Sequence, residues 1–327
     1  MNQTLPLSPT GEIWQRQAER VVQQHWPRGA LYVVATPIGN LGDIGLRAWH
    51  ALAHADVIAA EDTRATRTLC EAWGIGTPLI AAHRHNEATA AEAICARLEA
   101  GERVALVSDA GAPAVSDPGA RVVRAVRERG LPVIPIPGPS AVITALMGSG
   151  VTTDENPAFA FAGFAPPKST ARVRWLKQWS ALPAPVVFFE SPHRLRATVG
   201  DLREVCGPAR RLTIARELTK RFEEIATVAL DEAVAWLDGD THREQGEFVL
   251  ILHAAPVIAA ATDEEETLAT SGTWNRDTLL DALLSRLSVR DAARVAADIT
   301  GLSRDALYRQ ALARKAAGET DDAEEQD

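Results

Sequence analysis

Three glycine- and proline-punctuated turns hold the residues best placed for chemistry. They read T-P-I-G-N-L-G-D over Thr36–Asp43, S-D-A-G-A-P-A-V-S-D-P-G over Ser108–Gly119 and P-G-P-S-A over Pro137–Ala141. Each follows a short apolar run of β type (31–35, 104–107 and 133–136) and precedes a segment with helical periodicity. Strand-to-helix turns are where open α/β sheets build ligand sites. Glycine lets backbone N–H and C=O groups approach a ligand, and proline fixes φ while leaving a bare carbonyl. Neither the G-x-G-x-x-G dinucleotide turn nor the G-x-x-x-x-G-K-[ST] phosphate cradle occurs in the chain. Such walls suit a small ligand with amines and hydroxyls better than one held by its phosphates.

The elements that must carry these turns alternate. Apolar strand runs and amphipathic helices follow one another from Leu31 to Met147: 31–35 then 46–54, 57–60 then 66–73, a helix over 87–99, 104–107 then 120–129, and 133–136 then 140–147. That order predicts a largely parallel sheet covered on both faces, an α/β domain over 30–150. Beyond the polar stretch 152–157 the texture changes. Strand runs at 159–164, 186–189, 212–215, 224–229 and 248–253 surround helical stretches at only 170–179, 194–205 and 231–237. Strands that follow one another without helices predict a mixed α+β sheet, taken as a second domain over 151–254.

Residues 1–29 are read as an N-terminal extension with some helical periodicity, 255–272 as an Ala-rich acidic linker and 318–327 as an acidic disordered tail. Between linker and tail, 273–317 carries three helical patterns, at 276–287, 289–299 and 304–316. Ser288 and Ser303 stand as N-caps, Asp291 completes a capping-box spacing, and Thr300-Gly301-Leu302 forms a tight turn. Helix, turn and helix at this length fit a nucleic-acid-binding unit. From Ser288 to Lys315 six basic side chains face three acidic ones. A small bundle with a solvated charged face fits the same pattern.

Composition bounds the rest. The chain has 327 residues, 46% of them hydrophobic and 24% charged, which suits a folded globular protein with more than one core. No apolar run approaches the roughly 18 residues of a membrane span, and the first residues lack the basic start and apolar core of a signal peptide. Cys70, Cys95 and Cys206 lie far apart with no C-x-x-C pair, which argues against zinc and for a reducing, cytoplasmic setting. The net charge of −9 owes ten negatives to Asp263–Glu266 and the tail; without those ten the formal charge is +1, which leaves room for a basic face.

Eight ordered strings carry a resemblance: L-Y-V-V-A-T-P-I-G-N-L-G-D, A-E-D-T-R, S-D-A-G-A-P-A-V-S-D-P-G, P-G-P-S-A, G-F-A-P-P-K, F-F-E-S-P-H-R, A-R-E-L-T-K and G-E-F-V-L-I-L. From Leu31 to Leu252 the chain resembles the ribosomal RNA small subunit methyltransferase I family of the tetrapyrrole methylase superfamily. Its helical end resembles the small C-terminal domain of many members. The resemblance implies S-adenosylmethionine as methyl donor, bound between two α/β domains. It further implies a homodimer, no metal, and as substrate the ribose 2′-hydroxyl of a cytidine in the decoding region of 16S ribosomal RNA, within the small ribosomal subunit.

Carried onto this chain, the resemblance places donor contacts at Pro37, Gly39, Asp109, Ala112, Ser140 and Phe189. Relatives often have threonine at the Ala112 position, so a contact there is backbone or apolar. Methyl transfer from a sulfonium is an in-line displacement that depends mainly on holding the reactants close and aligned, with a base to relieve the hydroxyl of its proton. Glu190 is the preferred base; Glu61, Asp62, Glu217 and His193 are alternatives, and each carboxylate is equally an ion-pair partner for a nearby arginine. Arg64, Lys168, Arg194, Arg216 and Lys220 are expected at the mouth of the cleft as phosphate contacts. Trp175 and Trp179 fit base stacking or core packing. Two other readings stand beside this one: a methylase acting on a tetrapyrrole or other small molecule, and a non-catalytic RNA-binding assembly protein.

Overall fold

The structure is a computed structural model that describes residues 11–255, 276–300 and 303–324. The chain divides into two compact units, 1–256 and 257–327. The first unit opens with helix α1 (Gly11–Val22) and continues through β1 (Leu31–Val34), α2 (Leu46–His54), β2 (Val57–Ala60), α3 (Thr63–Ala72), β3 (Leu79–Ala81), α4 (Glu87–Glu99), β4 (Val104–Val107), α5 (Ala120–Glu128), β5 (Val133–Ile136) and α6 (Ala141–Ser149). The five strands form one sheet in the order β3-β2-β4-β1-β5, and every pairing is parallel.

Strand alternation splits this sheet's side chains between two layers. Tyr32, Val34, Ile58, Ala60, Ala105 and Val107 pack under α2 and α3. Leu31, Val57, Ala59, Val104 and Leu106 pack under α4 and α5. The connection from β1 therefore leaves toward one face and that from β4 toward the other, although the two strands are neighbours. A crevice opens between diverging loops at their carboxyl ends. Strand β3 has no counterpart in the expected element list, because three residues are too few to show a period.

The second sheet is built from β6 (Ala160–Phe164), β7 (Val186–Glu190), β8 (Arg211–Arg216), β9 (Glu224–Ala229) and β10 (Phe248–Leu252), with helices α7 (Ser169–Trp179), α8 (Pro192–Cys206) and α9 (Ala233–Asp238). Its order is β6-β7-β10-β8-β9, with β6 parallel to β7 and the other pairings antiparallel. Val186, Phe188, Leu212, Ile214, Phe248, Leu250 and Leu252 pack toward the helices that follow β6. Val187, Phe189, Ala215, Val249 and Ile251 face the other way and meet Val142, Ala145 and Leu146 of α6. Helix α6, which follows the first sheet, is thus the cover of the second. Trp175 and Trp179 pack against the α7–α9 side, with Trp175 edge-on to Phe188 at 5.3 Å.

The N-terminal extension is folded from residue 11 onward. Val21 is buried, Trp26 donates from Nε1 to the Val21 carbonyl, and the Tyr32 hydroxyl donates to the Pro27 carbonyl. Trp26 lies on His50, whose ring stacks on His54 at 3.9 Å. His50 is 3% exposed. Burial first, then the charges of His54 and Arg103, lower its pKa from 6.5 to about 4. As pH falls from 6.5 toward 4 the unfolded chain takes up a proton that the folded chain refuses, so stability is lost through that window. Urea unfolding is expected to show a loss of about 2 kcal/mol from this group between pH 7 and pH 5. The variant His50→Leu should lose correspondingly less over the same interval; equal losses in both chains would remove His50 as the cause.

In the second unit α10 (Arg276–Leu284), α11 (Val289–Thr300) and α12 (Arg304–Glu324) pack around Leu280, Ala293, Ala296, Leu307 and Ala311. Ser288 caps α11 as its spacing predicts: Asp291 N donates to Ser288 Oγ at 3.2 Å, and the hydroxyl donates to the Asp291 carboxylate at 2.7 Å. Helix α12 runs on to Glu324, past the expected end at residue 316 and into the stretch expected as disordered tail. Once a helix is nucleated each added residue is cheap, and the single Gly318 costs only about 1 kcal/mol. The expected linker 255–272 lies, apart from Ala255, outside the described residues. No described helix is long and apolar enough to cross a membrane.

Candidate functional site

The turn after β1 and the turn after β4 are tied by two backbone hydrogen bonds, Thr36 N to Gly111 O at 2.9 Å and Gly111 N to Thr36 O at 3.0 Å. Gly111 adopts φ +76°, and a Cβ there would come within 3.3 Å of Ile38 Cγ2, so the position favours glycine. The P-G-P-S-A turn closes a third side. Against these three turns stand the ends of β7 and β10 and the loops preceding β10 and following β8. Together they enclose a cleft of about 460 Å³, within the size range of small-molecule and cofactor sites.

The cleft has three kinds of wall. One is acidic: Glu61 at the end of β2, Asp109 at the end of β4 and Asp117 in the same turn as Asp109 all line it. Burial raises the Glu61 pKa, and the charges of Asp109 and Asp117 raise it further. Burial likewise raises Asp117; a hydrogen bond from Ser108 opposes this and the Asp109 charge adds to it. The second wall is apolar, from Ile38, Val115, Phe164, Phe189 and Leu218. Phe189 meets Phe161 and Phe164 edge-on at 5.1 and 5.2 Å, a geometry favoured by the ring quadrupoles. The third is the amino end of α6, where Ser140, Ala141 and Val142 line the cleft. Ser140 is the N-cap residue, yet its hydroxyl makes no capping bond. Uncapped N–H groups and the helix dipole there favour a carboxylate.

These walls match the chemistry of S-adenosylmethionine group by group: carboxylates for its cationic sulfur, amine and ribose hydroxyls, an aromatic wall for its base, and a helix amino end for its carboxylate. Among the described residues no group of three or more His, Cys, Asp or Glu is arranged to hold a metal ion.

Of the expected donor contacts, Asp109, Ala112, Ser140 and Phe189 line the cleft, while Pro37 and Gly39 do not; their neighbour Ile38 does. Gly39 instead makes room for Lys220, whose Cγ would lie 2.6 Å from a Cβ at that position. Glu61, one of the alternative bases, is in the cleft with its acidity weakened. Glu190, the preferred base, is brought there by its backbone, but its side chain is fully buried on the α8 side. Its carboxylate accepts from Ser191 N at 2.7 Å, Arg194 Nε at 2.7 Å and Thr198 Oγ1 at 2.6 Å. Asp62 caps α3, accepts from Arg64 N and forms an ion pair with Arg64 at 2.9 Å. The Arg64 hydrogen bonds hold its carboxyl at about 2, so it is a weak base. His193 is exposed on α8.

The five expected phosphate contacts separate. Lys168 is exposed with no ion pair among the described residues, and Arg64 is exposed but paired with Asp62. Arg194 is committed to Glu190. Lys220 bridges Glu217 and Glu247 at 2.8 Å each. Burial acts to raise the Glu217 carboxyl, and the bonds from Lys220 and Glu247 N outweigh it, so the group ends below its usual range. Arg216 is 7% exposed and donates to the carbonyls of Gln245 and Phe222, which ties two loops together beneath the surface. Sequence reasoning passed over Asp117, although it stands within the quoted S-D-P-G string, an Asp-Pro turn signal; the structure shows Ser116 before it at φ 65°, a strained turn of the kind that gathers at sites.

Comparison with known proteins identifies the family. Residues 30–234 match the Tetrapyrrole (Corrin/Porphyrin) Methylases, and residues 276–315 match the RsmI C-terminal HTH domain. The chain is 43% identical over 287 residues to the ribosomal RNA small subunit methyltransferase I of Escherichia coli O157:H7, covering 87% of this chain and 95% of that one. It is 45% identical over 287 residues to the protein of the same name from Neisseria meningitidis serogroup B, covering 88% and 94%. Among solved structures, the methyltransferase CobJ superposes with a TM-score of 0.52 at 20% identity, over 69% of this chain and 95% of that one, which shows a shared fold. With this identity spread over nearly the whole of both chains, the protein belongs to the ribosomal RNA small subunit methyltransferase I family, within the tetrapyrrole methylases.

Proposed function

We propose that the cleft binds S-adenosylmethionine and that the chain methylates the ribose 2′-hydroxyl of a cytidine in the decoding region of 16S ribosomal RNA. One observation carries the donor assignment: Glu61, Asp109 and Asp117 converge with an aromatic wall and the uncapped end of α6 at one crevice. The RNA assignment is supported by the family and by the C-terminal helix-turn-helix match. When bound, S-adenosylmethionine supplies a methyl group activated by positively charged sulfur. Asp109 and Asp117 provide countercharge in a cleft partly shielded from water, where such charge is effective. Phe164, Phe189 and Leu218 exclude water from the reacting atoms. Glu61, raised by burial and by its acidic neighbours, accepts the proton of the attacking hydroxyl. Two finer parts complete the proposal. The substrate is presented within the small ribosomal subunit, and the chain works as a homodimer, for which Ile143 and Met147, exposed one turn apart on α6, offer apolar surface.

Calorimetry with S-adenosylmethionine and transfer of labelled methyl into small subunits, free 16S RNA and precorrin-type compounds test this together. Saturable donor binding at one site per chain is expected, with label recovered as 2′-O-methylcytidine. Absence of donor binding, or label found only in the tetrapyrrole, would overturn it.

A further inference from the structure

A second concavity of about 260 Å³ adjoins the cleft and has the opposite charge character. It is lined by Arg84, Arg121 and Arg124 together with Glu87 and Asp117. Arg84 comes from the segment between β3 and α4; Arg121 and Arg124 lie three apart at the start of α5, on neighbouring positions of one face. All three arginines are exposed, and none of their guanidinium groups forms a hydrogen bond or ion pair within 4 Å among the described residues. Elsewhere on this unit Arg64, Arg97, Arg129, Arg194, Arg196 and Arg243 each hold a carboxylate; here three guanidinium groups without one line a single hollow.

Of the two carboxylates in the pocket, Asp117 feels the charge of Arg84 without forming an ion pair with it, and Glu87 is engaged elsewhere. Glu87 Oε1 accepts from Gly119 N at 2.9 Å and Arg121 N at 3.1 Å, so it caps the amino end of α5 instead of pairing with a guanidinium. Three like charges around one hollow repel each other unless an anion sits among them, and the planar fork of arginine matches phosphate oxygens two at a time. Asp117 lines both cavities. The acidic side of that wall suits a cationic methyl donor and the basic side suits an anionic substrate.

We propose that Arg84, Arg121 and Arg124 form a phosphodiester-binding pocket that holds the RNA backbone beside the nucleotide being methylated. This rests on the donor and RNA assignment above, and it moves the main phosphate contacts from the five cations of the sequence motifs to these three. The contacts are to backbone, so they fix register and carry no base preference.

The test compares the full-length protein with Arg84→Ala/Arg121→Ala/Arg124→Ala and with the triple lysine variant. A decoding-region transcript is titrated over a range of salt, donor affinity is measured by calorimetry, and melting confirms that the variants fold. The alanine variant is expected to lower the slope of log K against log salt by about 2 to 3 and to raise KM for RNA with little change in kcat, while donor affinity stays the same. The lysine variant should keep the salt slope and lose part of the affinity. If the unaltered protein binds and methylates the transcript but the alanine variant keeps its salt slope and KM, the pocket is not a backbone site. Loss of inorganic phosphate binding without loss of RNA affinity would overturn it equally, in favour of a free-anion site. If the unaltered protein neither binds donor nor methylates RNA, the underlying assignment fails first and takes this one with it.

Discussion

Asp109→Asn is expected to weaken S-adenosylmethionine binding by about 10- to 10²-fold and to lower kcat/KM for the donor by a similar factor, with the melting temperature little changed. The reasoning starts from the two jobs this carboxylate does. Asp109 Oδ1 accepts from Asp62 N at 2.8 Å, which helps set the first turn of α3, and the same side chain lines the cleft beside Glu61 and Asp117. Asparagine keeps an oxygen for Asp62 N and removes the charge. Hydrogen bonds to charged groups contribute about 1.5–3 kcal/mol, and because the sulfonium loses its charge as the methyl leaves, a carboxylate beside it acts on donor binding and not on the transfer step. Asp109→Ala removes the acceptor as well and should add a stability loss of about 1 kcal/mol. Donor calorimetry and melting of both variants separate the two jobs. A drop in melting temperature for both, with donor affinity intact, would make Asp109 a structural residue alone.

The turn that holds Asp109 was legible because its glycines and prolines stand out against the apolar strand before it, and strand-to-helix turns have a known place in a parallel sheet. The partition of strands between a parallel and a mixed sheet was legible in part: a helix separates every consecutive pair of strands in the first sheet, whereas in the second β8 runs straight into β9 and pairs with it antiparallel. What the sequence left open was parity. β7 reads V-V-F-F-E, apolar on both faces, and such a strand carries no alternation to say which side chain points where. A shift of one residue would have put Glu190 in the cleft and Phe189 under α8. The pairing of β7 with β10, Phe189 opposite Val249, decides the matter, and it is a tertiary fact. Arg216 illustrates the same limit, since its burial depends on loops at 222 and 245 closing over it. The cluster at Arg84, Arg121 and Arg124 joins segments nearly forty residues apart, which no local pattern reveals.

Parity also sets opposite expectations for the two carboxylates proposed as base. Glu61→Gln should fold normally and lower kcat by about 10²- to 10⁴-fold, the usual contribution of a positioned general base. In the unaltered enzyme the rate should fall as pH drops through the pKa of Glu61. Burial and the charges of Asp109 and Asp117 raise that pKa, so the fall begins at higher pH than an ordinary glutamate would give. The variant's residual activity should lack that limb. Glu190→Gln should keep the limb and most of the activity, because an amide oxygen can still accept from Arg194, Ser191 N or Thr198. Glu190→Ala leaves three donors without an acceptor, one of them a partly buried guanidinium, and should lower stability by about 3 kcal/mol. The pH–rate profile is therefore the deciding measurement. If Glu190→Gln erased the acidic limb while Glu61→Gln preserved it, the proton would have to pass to a carboxylate that already holds three hydrogen bonds, and Glu61 would be left with the donor's charge alone.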